Sequence, residues 1–407
     1  MSTTFWTVPT QNLKNLNKHA IIDLIRFTSG GISRVEIARR MGLTRAAVSA
    51  IVDDLMSIGL VRETEGSYPS GRRPIVLEIN PDLGHVIGID MGASHVMLIL
   101  ADFSGRQLHE IEVPLDINEG PSICLARVAE LVDQLLKEAG MSMSQISAVG
   151  VGVPGPIVQK EGMVSGPPIM PGWDRYPIRD HLQELWKVPV SLNNDAELGA
   201  VGEWAYGAGR GEHNLAYIKV GTGIGAGLLL EGQIYRGSTG CAGEIGHITI
   251  DENGPLCTCG NRGCLEAIAG GAAIARKAME AVRMGQRTQL AEMVRNGKLT
   301  VADVMNAARH GDHLAQRITA EAGMHLGTAI ANIVNLFNPS MVVIGGSVGQ
   351  IGDLLLEPIR LTVQRRSLLV ASRNVRITAA LLGKHSVAIG AVVVALSIAL
   401  HQIADKN

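Results

Sequence analysis

The 407-residue sequence lacks a strong excess of charge of either sign, and it contains few cysteines and few aromatic residues. Its formal net charge of −2 gives no reason to expect a uniformly basic or acidic protein. Five cysteines cannot all pair, and residues 1–10 lack the basic-then-apolar pattern of a secretion signal, so a disulfide scaffold is not expected. The most apolar late segment, residues 387–400, is shorter than a membrane span and predicts a buried helix. We therefore expect a cytoplasmic protein without a membrane partner.

The length of the chain exceeds what one hydrophobic core usually holds, so two or three domains are expected. Residues 1–80 contain ten Lys/Arg and seven Asp/Glu, a local net charge of +3, which leaves −5 for the remainder. This modest asymmetry is a weak indication of a nucleic-acid partner at the N-terminus. The 48 glycines suit a fold with many tight turns and phosphate-binding loops.

Three of the five cysteines, Cys257, Cys259 and Cys264, fall within eight residues, and His247 lies upstream of them. Thiolates and imidazole are the ligands of tetrahedral Cys₃His zinc sites, and four protein ligands leave no open position. The pattern therefore predicts a structural Zn²⁺. Disulfide pairing and a metal-free cluster of thiols are the alternatives. The odd number of cysteines and the expected reducing compartment favour the metal.

The N-terminal region has the pattern of a helix-turn-helix. Residues 16–27 carry apolar side chains at helical spacing, and Ser33 and Glu36 form a capping-box pattern that opens a second helix ending at Gly42. A third helix, capped by Thr44, has an apolar stripe of Val48, Ile51, Val52 and Leu55. Its other face, which we expect to enter the major groove of DNA, presents Thr44, Arg45, Ala46 and Ser49.

Residues 62–79 form a hairpin-like run that predicts the wing of a winged-helix domain. Its tip carries Arg72 and Arg73, which are placed to contact phosphates or a minor groove. Arg34, Arg39 and Arg40 are predicted to be solvated or to face phosphates rather than bases. The alternative interpretation is a small helical bundle used for protein contacts, since such units are common.

Three glycine turns follow apolar strands in the rest of the chain. The first turn contains Asp90, Gly92 and Ser94. The second contains Gly221, Thr222 and Gly223, in an intact glycine-rich run that extends to Gly227. The third contains Gly345 and Gly346. Backbone N–H groups of such turns can wrap a phosphate, and an ordinary glycine hairpin is the alternative.

A predicted strand at residues 188–192 delivers Asn194 and Asp195 to the start of a helix. A carboxylate in this position can take the proton of a sugar hydroxyl that attacks a phosphoryl group. The more common use of such a pair is a helix cap.

The sequence resembles the ROK family of sugar kinases and sugar-responsive repressors. The resemblance rests on Glu-x-Gly-His at residues 244–247, on Cys-x-Cys-Gly-x-x-Gly-Cys-x-Glu at residues 257–266, and on residues 32–49, which are similar to the reading head of ROK repressors. It implies an α/β fold in which a winged helix-turn-helix at residues 1–82 precedes a duplicated actin-like, sugar-kinase body. The two subdomains of that body are expected at residues 83–200 and 201–407, the second with the zinc loop, and the terminal helix is expected to pack back on the first.

The resemblance also implies the ligand sites. In the family, the histidine and three cysteines bind zinc, and the two glutamates and the histidine face the sugar. Carried onto this sequence, these roles predict a sugar site of Gly155, Asn194, Asp195, Glu244, His247 and Glu266, and a zinc site of His247, Cys257, Cys259 and Cys264. The three glycine turns correspond to the nucleotide loops.

Two departures separate the sequence from the kinases of the family. The first phosphate loop has Ala93-Ser94-His95 where ROK kinases usually have Gly-Thr-Lys, and Ile169 replaces an asparagine that contacts the sugar. A Cβ placed near phosphate and a lost lysine both weaken ATP binding. The resemblance therefore implies vestigial nucleotide loops, a vestigial base at Asp195, and no catalytic residue.

The sequence predicts a sugar-responsive transcriptional regulator, a repressor and not an enzyme. It is expected to bind a double-stranded operator as a homodimer or homotetramer and to sense a sugar or sugar derivative. The alternative is an ATP-dependent sugar kinase with an accessory DNA-binding head, which Asp195 and the glycines at 221–225 favour. A scaffold that uses the head for protein contacts is a third interpretation.

Overall fold

The structure, a computed structural model, describes residues 13–65, 75–167, 169–294 and 297–406. The chain forms two compact units. The first contains the chain up to Gly152, residues 177–193 and the chain from Ala391 onward, and the second contains residues 153–176 and 194–390. The sequence-based domain boundaries at residues 82 and 200 remain predictions.

Three helices and a hairpin begin the first unit: α1 (Leu13–Phe27), α2 (Arg34–Met41), α3 (Arg45–Ser57), β1 (Val61–Glu65) and β2 (Ile75–Ile79). Ser33 Oγ accepts the Glu36 N–H at 3.2 Å and starts α2, and Gly42, with φ of +66°, ends it. The predicted stripe on α3 is buried. β1 and β2 are antiparallel, with Val61 opposite Ile79. The predicted winged helix-turn-helix is confirmed, while the wing tip with Arg72 and Arg73 lies outside the described residues.

The body of the first unit is a five-stranded sheet. Its strands are β3 (His85–Met91), β4 (His95–Asp102), β5 (Gln107–Pro114), β6 (Ile146–Val153) and β9 (Val190–Asn194), in the order β5-β4-β3-β6-β9. β3 pairs antiparallel with β4 and parallel with β6, as in a hairpin followed by a crossover. Helices α4 (Pro121–Glu138) and α5 (Ile178–Trp186) provide the crossover connections.

The second unit repeats this topology. β10 (Leu215–Val220), β11 (Ile224–Leu230), β12 (Gln233–Ile234), β13 (Met341–Gly345) and β14 (Arg376–Ala379) form a sheet ordered β12-β11-β10-β13-β14. In both sheets the first strand is central, and its neighbours are the second strand, antiparallel, and the fourth, parallel. A small hairpin of β7 (Ile157–Val158) and β8 (Met163–Val164) lies in the same unit. The shared strand order confirms the predicted duplicated α/β body.

Helices surround the second sheet. They are α6 (Asp195–Tyr206), α7 (Leu265–Ala269), α8 (Gly271–Arg283), α9 (Leu290–Met293), α10 (Val301–Arg309), α11 (His313–Phe337), α12 (Gly346–Gly349), α13 (Asp353–Arg366) and α14 (Leu369–Asn374). A continuous apolar core joins the sheet to α8, α10, α11 and α13.

The last helix, α15 (Ser386–Asp405), is longer than the segment expected from the sequence. With the turn that precedes it, this is the one helix among the described residues that has the length and hydropathy to cross a membrane. The expectation that the apolar run is too short was therefore wrong, because flanking residues extend the helix. Buried positions make up 72% of its most apolar window, so packing inside the protein accounts for its composition.

Within the first unit, the end of α15 contacts α1 of the winged helix-turn-helix. Arg26 donates hydrogen bonds to Ser397 Oγ at 2.8 Å and to the Val393 carbonyl at 2.7 Å. His19 Nε2 lies 2.9 Å from Asp405 Oδ1, and the His19 ring stacks on His401 with centroids 4.0 Å apart. These partly buried polar contacts fix the register of the two helices, which apolar contacts alone specify poorly.

Within the second unit, the beginning of α15 crosses α6 at glycines. A Cβ on Gly390 would lie 1.8 Å from the Leu198 carbonyl oxygen, and a Cβ on Gly202 would lie 2.2 Å from the Ser386 carbonyl oxygen. Glu203 of α6 accepts hydrogen bonds from the N–H groups of Leu381 and Leu382 and from Ser386 Oγ, at 2.7–3.0 Å. The two helices therefore touch along their backbones.

Replacing Gly390 by alanine is expected to destabilise the protein by about 3 kcal/mol, the upper end of the usual cost of overpacking a core, because the clash is with backbone and cannot be relieved by a rotamer change. Urea unfolding measures this effect. The exposed Gln402→Ala change on the same helix serves as the control and should leave the unfolding midpoint unchanged. An equal midpoint for the Gly390 variant would contradict the described crossing.

Candidate functional site

The cysteine and histidine side chains named from the sequence converge on one point. Ligand atoms of His247, Cys257, Cys259 and Cys264 all lie within 4.8 Å of one another. Cys259 Sγ is 3.7 Å from Cys264 Sγ, and Cys257 Sγ is 3.6 Å from His247 Nδ1. Zinc–sulfur bonds of about 2.3 Å place tetrahedral ligands roughly 3.7 Å apart, so the cluster has the size of a tetrahedral metal site. All five cysteines, each within the described ranges, are free thiols, which excludes the disulfide alternative for this structure.

The loop around the cluster is shaped by two glycines. Gly260, with φ of +92°, closes a turn in which its N–H donates to the Cys257 carbonyl at 3.0 Å. A Cβ on Gly263 would lie 1.5 Å from the Asp251 carbonyl oxygen, so only glycine fits there. Cys264 then forms the N-cap position of α7. The same short helix carries Glu266 in its first turn, two residues after Cys264.

Asn194 and Gly155 meet within the second unit. Asn194 Nδ2 donates to the Gly155 carbonyl at 3.1 Å, and Asn194 Oδ1 accepts the N–H groups of Ala196 and Glu197 at 2.8 and 3.2 Å. Asn194 is therefore the N-cap of α6, which is the alternative role weighed from the sequence. This cap aims the first helical residue, Asp195, at the end of β10.

Glu266 closes the second glycine turn. Its Oε2 accepts the Ile224 N–H at 2.9 Å, and a Cβ on Gly223 would lie 2.4 Å from that oxygen. The turn is shorter than the sequence suggested, because β11 begins at Ile224 and places Gly225 and Gly227 in a strand. Their small size serves packing against α6, since a Cβ on Gly227 would lie 2.3 Å from the Ala196 carbonyl oxygen.

Glu244 is a strongly perturbed carboxyl group near these residues. Burial, together with the charges of Asp195, Glu266 and Glu197, raises the pKa of Glu244 to about 7. Near neutral pH this carboxyl group can therefore donate as well as accept a hydrogen bond. Glu197 itself is buried and paired with Arg236, whose Nε lies 3.1 Å from Glu197 Oε2. The interacting carboxyl groups show that Asp195, Glu244 and Glu266 share one region of the second unit.

Sequence reasoning missed the cation in this group. Lys219 Nζ lies 2.5 Å from Asp195 Oδ2, and both side chains are largely buried. The signal was a single lysine in the otherwise apolar strand that precedes Gly221. Arg236, the partner of Glu197, was missed as well, because it lies in an irregular loop without a motif.

The first glycine turn, in the first unit, differs from an open phosphate loop. His95 Nε2 lies 3.3 Å from Asp90 Oδ2, and a Cβ on Gly92 would lie 2.4 Å from the His95 ring. The histidine that replaces the family's lysine therefore lies over Gly92 and contacts Asp90. Ser94 lies in the same turn. Gly345 and Gly346 join β13 to α12, so the third glycine turn opens a helix instead of a longer loop.

The residues that the sequence predicts to face DNA lie at the start of α3. Thr44 Oγ1 accepts the Ala47 N–H at 3.2 Å and caps the helix. Thr44, Arg45 and Ala46 are exposed, and Ser49 is partly exposed on the same side. The N-terminus of α3 therefore presents a positive helix end and an arginine to solvent.

Arg34 was wrongly expected to be solvated or to face phosphate. Its guanidinium binds Asp53 at 2.6 Å and Glu63 at 3.0 Å, so it ties α2 to α3 and to the wing. Arg39 and Arg40 both bind Glu36, and these hydrogen bonds lower the pKa of Glu36 to about 2. Their positive charge is thus partly balanced within α2.

A winged helix-turn-helix joined to a duplicated α/β body with a polar, carboxylate-rich site defines a DNA-binding regulator with a ligand-sensing body. Comparison with known proteins agrees. Residues 86–398 match the model of the ROK family, and residues 15–62 match a winged helix-turn-helix DNA-binding domain. The chain belongs to the ROK family.

Three relatives define its place in the family. The xylose repressor of Caldicellulosiruptor bescii is 33% identical over 386 residues, which cover 95% of this chain and 96% of the repressor. The glucokinase of Halalkalibacterium halodurans is 38% identical over 276 residues, or 67% of this chain and 83% of the enzyme. A crystal structure of a ROK family transcriptional regulator, a homolog of the E. coli MLC protein, has a TM-score of 0.80 at 27% identity and covers 96% of this chain and 97% of its own.

The repressor matches the head and the body together, whereas the glucokinase matches only about two thirds of the chain. The chain is a sugar-responsive DNA-binding repressor and a regulator rather than an enzyme. The predicted family, fold class and general function are confirmed.

Proposed function

We propose that the second unit binds an unphosphorylated aldose through Gly155, Asn194, Asp195, Glu244, His247 and Glu266, and that this binding changes the affinity of the head for its operator. The observation that carries the proposal is the group of interacting carboxyl groups around Glu244. Carboxylates suit the hydroxyls of neutral sugars and repel phosphorylated ones. Because a xylose repressor is a relative over nearly the whole chain, xylose is the first sugar to test.

A structural zinc ion is part of the proposal. A cluster of tetrahedral size with one imidazole and three thiolates suits Zn²⁺, and it has no position left for substrate. The ion would fix His247 in the same turn as Glu244, whose carbonyl accepts the His247 N–H at 3.1 Å. It would also fix Cys264 at the start of the helix that carries Glu266. Metal binding would thereby order two of the sugar-binding glutamates.

Helices α6 and α15 provide a route from ligand to DNA. The first residue of α6 is Asp195, and further along α6 Glu203 holds the beginning of α15. The end of α15 holds α1 of the head through Arg26 and His19. A ligand that favours one position of α6 would bias this helix pair and thus the position of the heads, which is a population shift.

The DNA-binding form is proposed to be a homodimer or homotetramer, because two-fold operators are read by paired heads. Thr44, Arg45, Ala46 and Ser49 are the proposed base-reading face, with Arg72 and Arg73 on the wing. The proposed compartment is the cytoplasm, where the operator is available and thiols stay reduced. Light scattering after size exclusion tests the assembly.

Calorimetric titration with aldoses, free and phosphorylated, tests the sugar site. A free aldose should bind, its phosphate should not, and Glu244→Ala should lower the affinity at least ~10-fold, because a hydrogen bond to a charged or buried group contributes about 1.5–3 kcal/mol. Glu161→Ala, at an exposed position of the same unit, is the matched control. Preferential binding of sugar phosphates would contradict the proposed ligand class.

The second candidate is a residual ATP-dependent sugar kinase activity beside the regulatory function. The presence of Asp195 and of the turn at Gly221 favours kinase activity. Two ion-pair contacts oppose it: that of Lys219 with Asp195, and that of His95 with Asp90. Release of ADP in the presence of the same sugars separates the two functions.

A further inference from the structure

We propose that Lys219 is a positioning residue that binds one carboxyl oxygen of Asp195 and directs the other oxygen to one hydroxyl of the sugar, and so makes Asp195 a recognition element. The inference rests on the proposed function, since it concerns the same sugar site. It adds a residue that neither the motifs nor the glycine turns indicate.

Glycines beside Lys219 on the sheet let α6 and Tyr217 pack close to it. On β10, the residues opposite Lys219 are Gly225 of β11 and Gly345 of β13. Cross-strand partners share a face of the sheet, so both neighbours of Lys219 on that face lack side chains. Tyr217, two residues earlier and on the same face, packs on Gly199 of α6. Lys219 therefore reaches the residue one helical turn before Gly199, which is Asp195.

A purely structural role does not account for a lysine here. The N-terminus of α6 is already capped by Asn194, with two hydrogen bonds of 2.8 and 3.2 Å. α6 is also held against the sheet by the close contacts of Gly199 and Gly227. A cation at a helix N-terminus opposes the helix dipole, and only 16% of the Lys219 side chain is exposed. The buried position of Lys219 is therefore favourable only because its ammonium group pairs with Asp195 and supports what Asp195 binds.

The consequence for chemistry is direct. A general base needs an oxygen that can take the proton of the attacking hydroxyl, and Asp195 Oδ2 already accepts a hydrogen bond from the Lys219 ammonium group at 2.5 Å. The same carboxylate remains a strong acceptor, since one oxygen binds Lys219 and the other lone pairs remain available to a hydroxyl. Asp195 can therefore recognise a sugar hydroxyl without activating it.

Sugar affinity of the full-length protein tests the inference, with xylose and the other free aldoses as probes. Lys219→Met keeps an unbranched side chain that is one atom shorter and removes its charge, and it should lower affinity at least ~10-fold. Lys219→Arg should stay within ~3-fold of the wild type. Lys137→Met, at an exposed site on α4, is the control and should change nothing. In an Asp195→Asn background, Lys219→Met should have no further effect on affinity, because the lysine acts through Asp195.

Monodeoxy derivatives of the bound sugar provide a measurement that loss of structure would not change. One of them should bind the wild type at least ~10-fold more weakly than the parent sugar, and this difference should disappear in Asp195→Asn and shrink in Lys219→Met. The role of Lys219 would be overturned, with the proposed function intact, if Lys219→Met bound sugar as tightly as the wild type. It would also be overturned if Lys219→Met and Lys219→Arg lost sugar affinity equally. Failure of the wild type to bind any free aldose would overturn the proposed function as well.

Discussion

Replacing Cys264 by serine is expected to abolish stoichiometric zinc in the purified protein and, with it, sugar binding. Cys264 is fully buried and its Sγ lies 3.7 Å from Cys259 Sγ, so its thiolate would be the fourth ligand of the proposed tetrahedral site. Loss of a direct ligand should cost more metal affinity than the ~10–100-fold that loss of an outer hydrogen-bond partner costs. Elemental analysis should give one zinc per chain in the wild type and almost none in the variant. Thermal unfolding of the variant should begin at a lower temperature, because bound zinc would stabilise the folded loop.

Cys241→Ser is the matched control, because Cys241 is an exposed thiol outside the cluster. It should retain zinc, sugar affinity and thermal stability. A wild-type protein that contains no zinc, and whose unfolding temperature is unchanged by a strong chelator, would contradict the metal site. A Cys264 variant without zinc that still binds sugar normally would contradict the proposed link between the metal and Glu266.

Replacing Arg45 by alanine is expected to lower operator affinity ~10- to 100-fold, since a good bidentate base contact contributes about 1–3 kcal/mol of discrimination. Arg45 is the first residue of α3 and is exposed, so the change should leave the helix intact. Fluorescence anisotropy with labelled operator, at fixed salt and with excess competitor DNA, measures the loss.

Arg127→Ala is the control for charge, because Arg127 is an exposed arginine of α4 whose partner is Glu130. It should bind operator like the wild type. Arg34→Ala provides a contrast: it should weaken binding and also lower stability, because Arg34 joins α2, α3 and the wing. Equal operator affinity of Arg45→Ala and the wild type would contradict the assignment of α3 as the helix that contacts the bases of the operator.

Local patterns carried most of what could be predicted from the sequence. Caps at Ser33, Thr44 and Gly42 depend on residues three or four positions apart, and the structure has all three. The cysteine cluster was predictable because its ligands lie in one short segment whose spacing suits a tetrahedral ion. The fold of the body followed from the family resemblance, and the repeated strand order confirms it.

Contacts between distant segments were not predictable in this way. Lys219 and Asp195 are 24 positions apart and meet only because α6 packs on β10. Lys18 of α1 donates to the Ala404 carbonyl, 386 positions away, and no periodic pattern indicates that pairing. Arg34 looked like a phosphate contact because its acidic partners lie on two other elements. Each of these contacts depends on packing, which local sequence does not specify.

The central claim is that one chain joins operator binding to sugar binding. Operator affinity should therefore be measured by anisotropy with increasing amounts of each free aldose, beginning with xylose, on the full-length protein. A coupling of about 1–3 kcal/mol is typical of allosteric proteins, so one sugar should change operator affinity ~5- to 150-fold, and Glu244→Ala should remove the change. An operator affinity that stays constant while calorimetry shows the sugar bound would contradict the account.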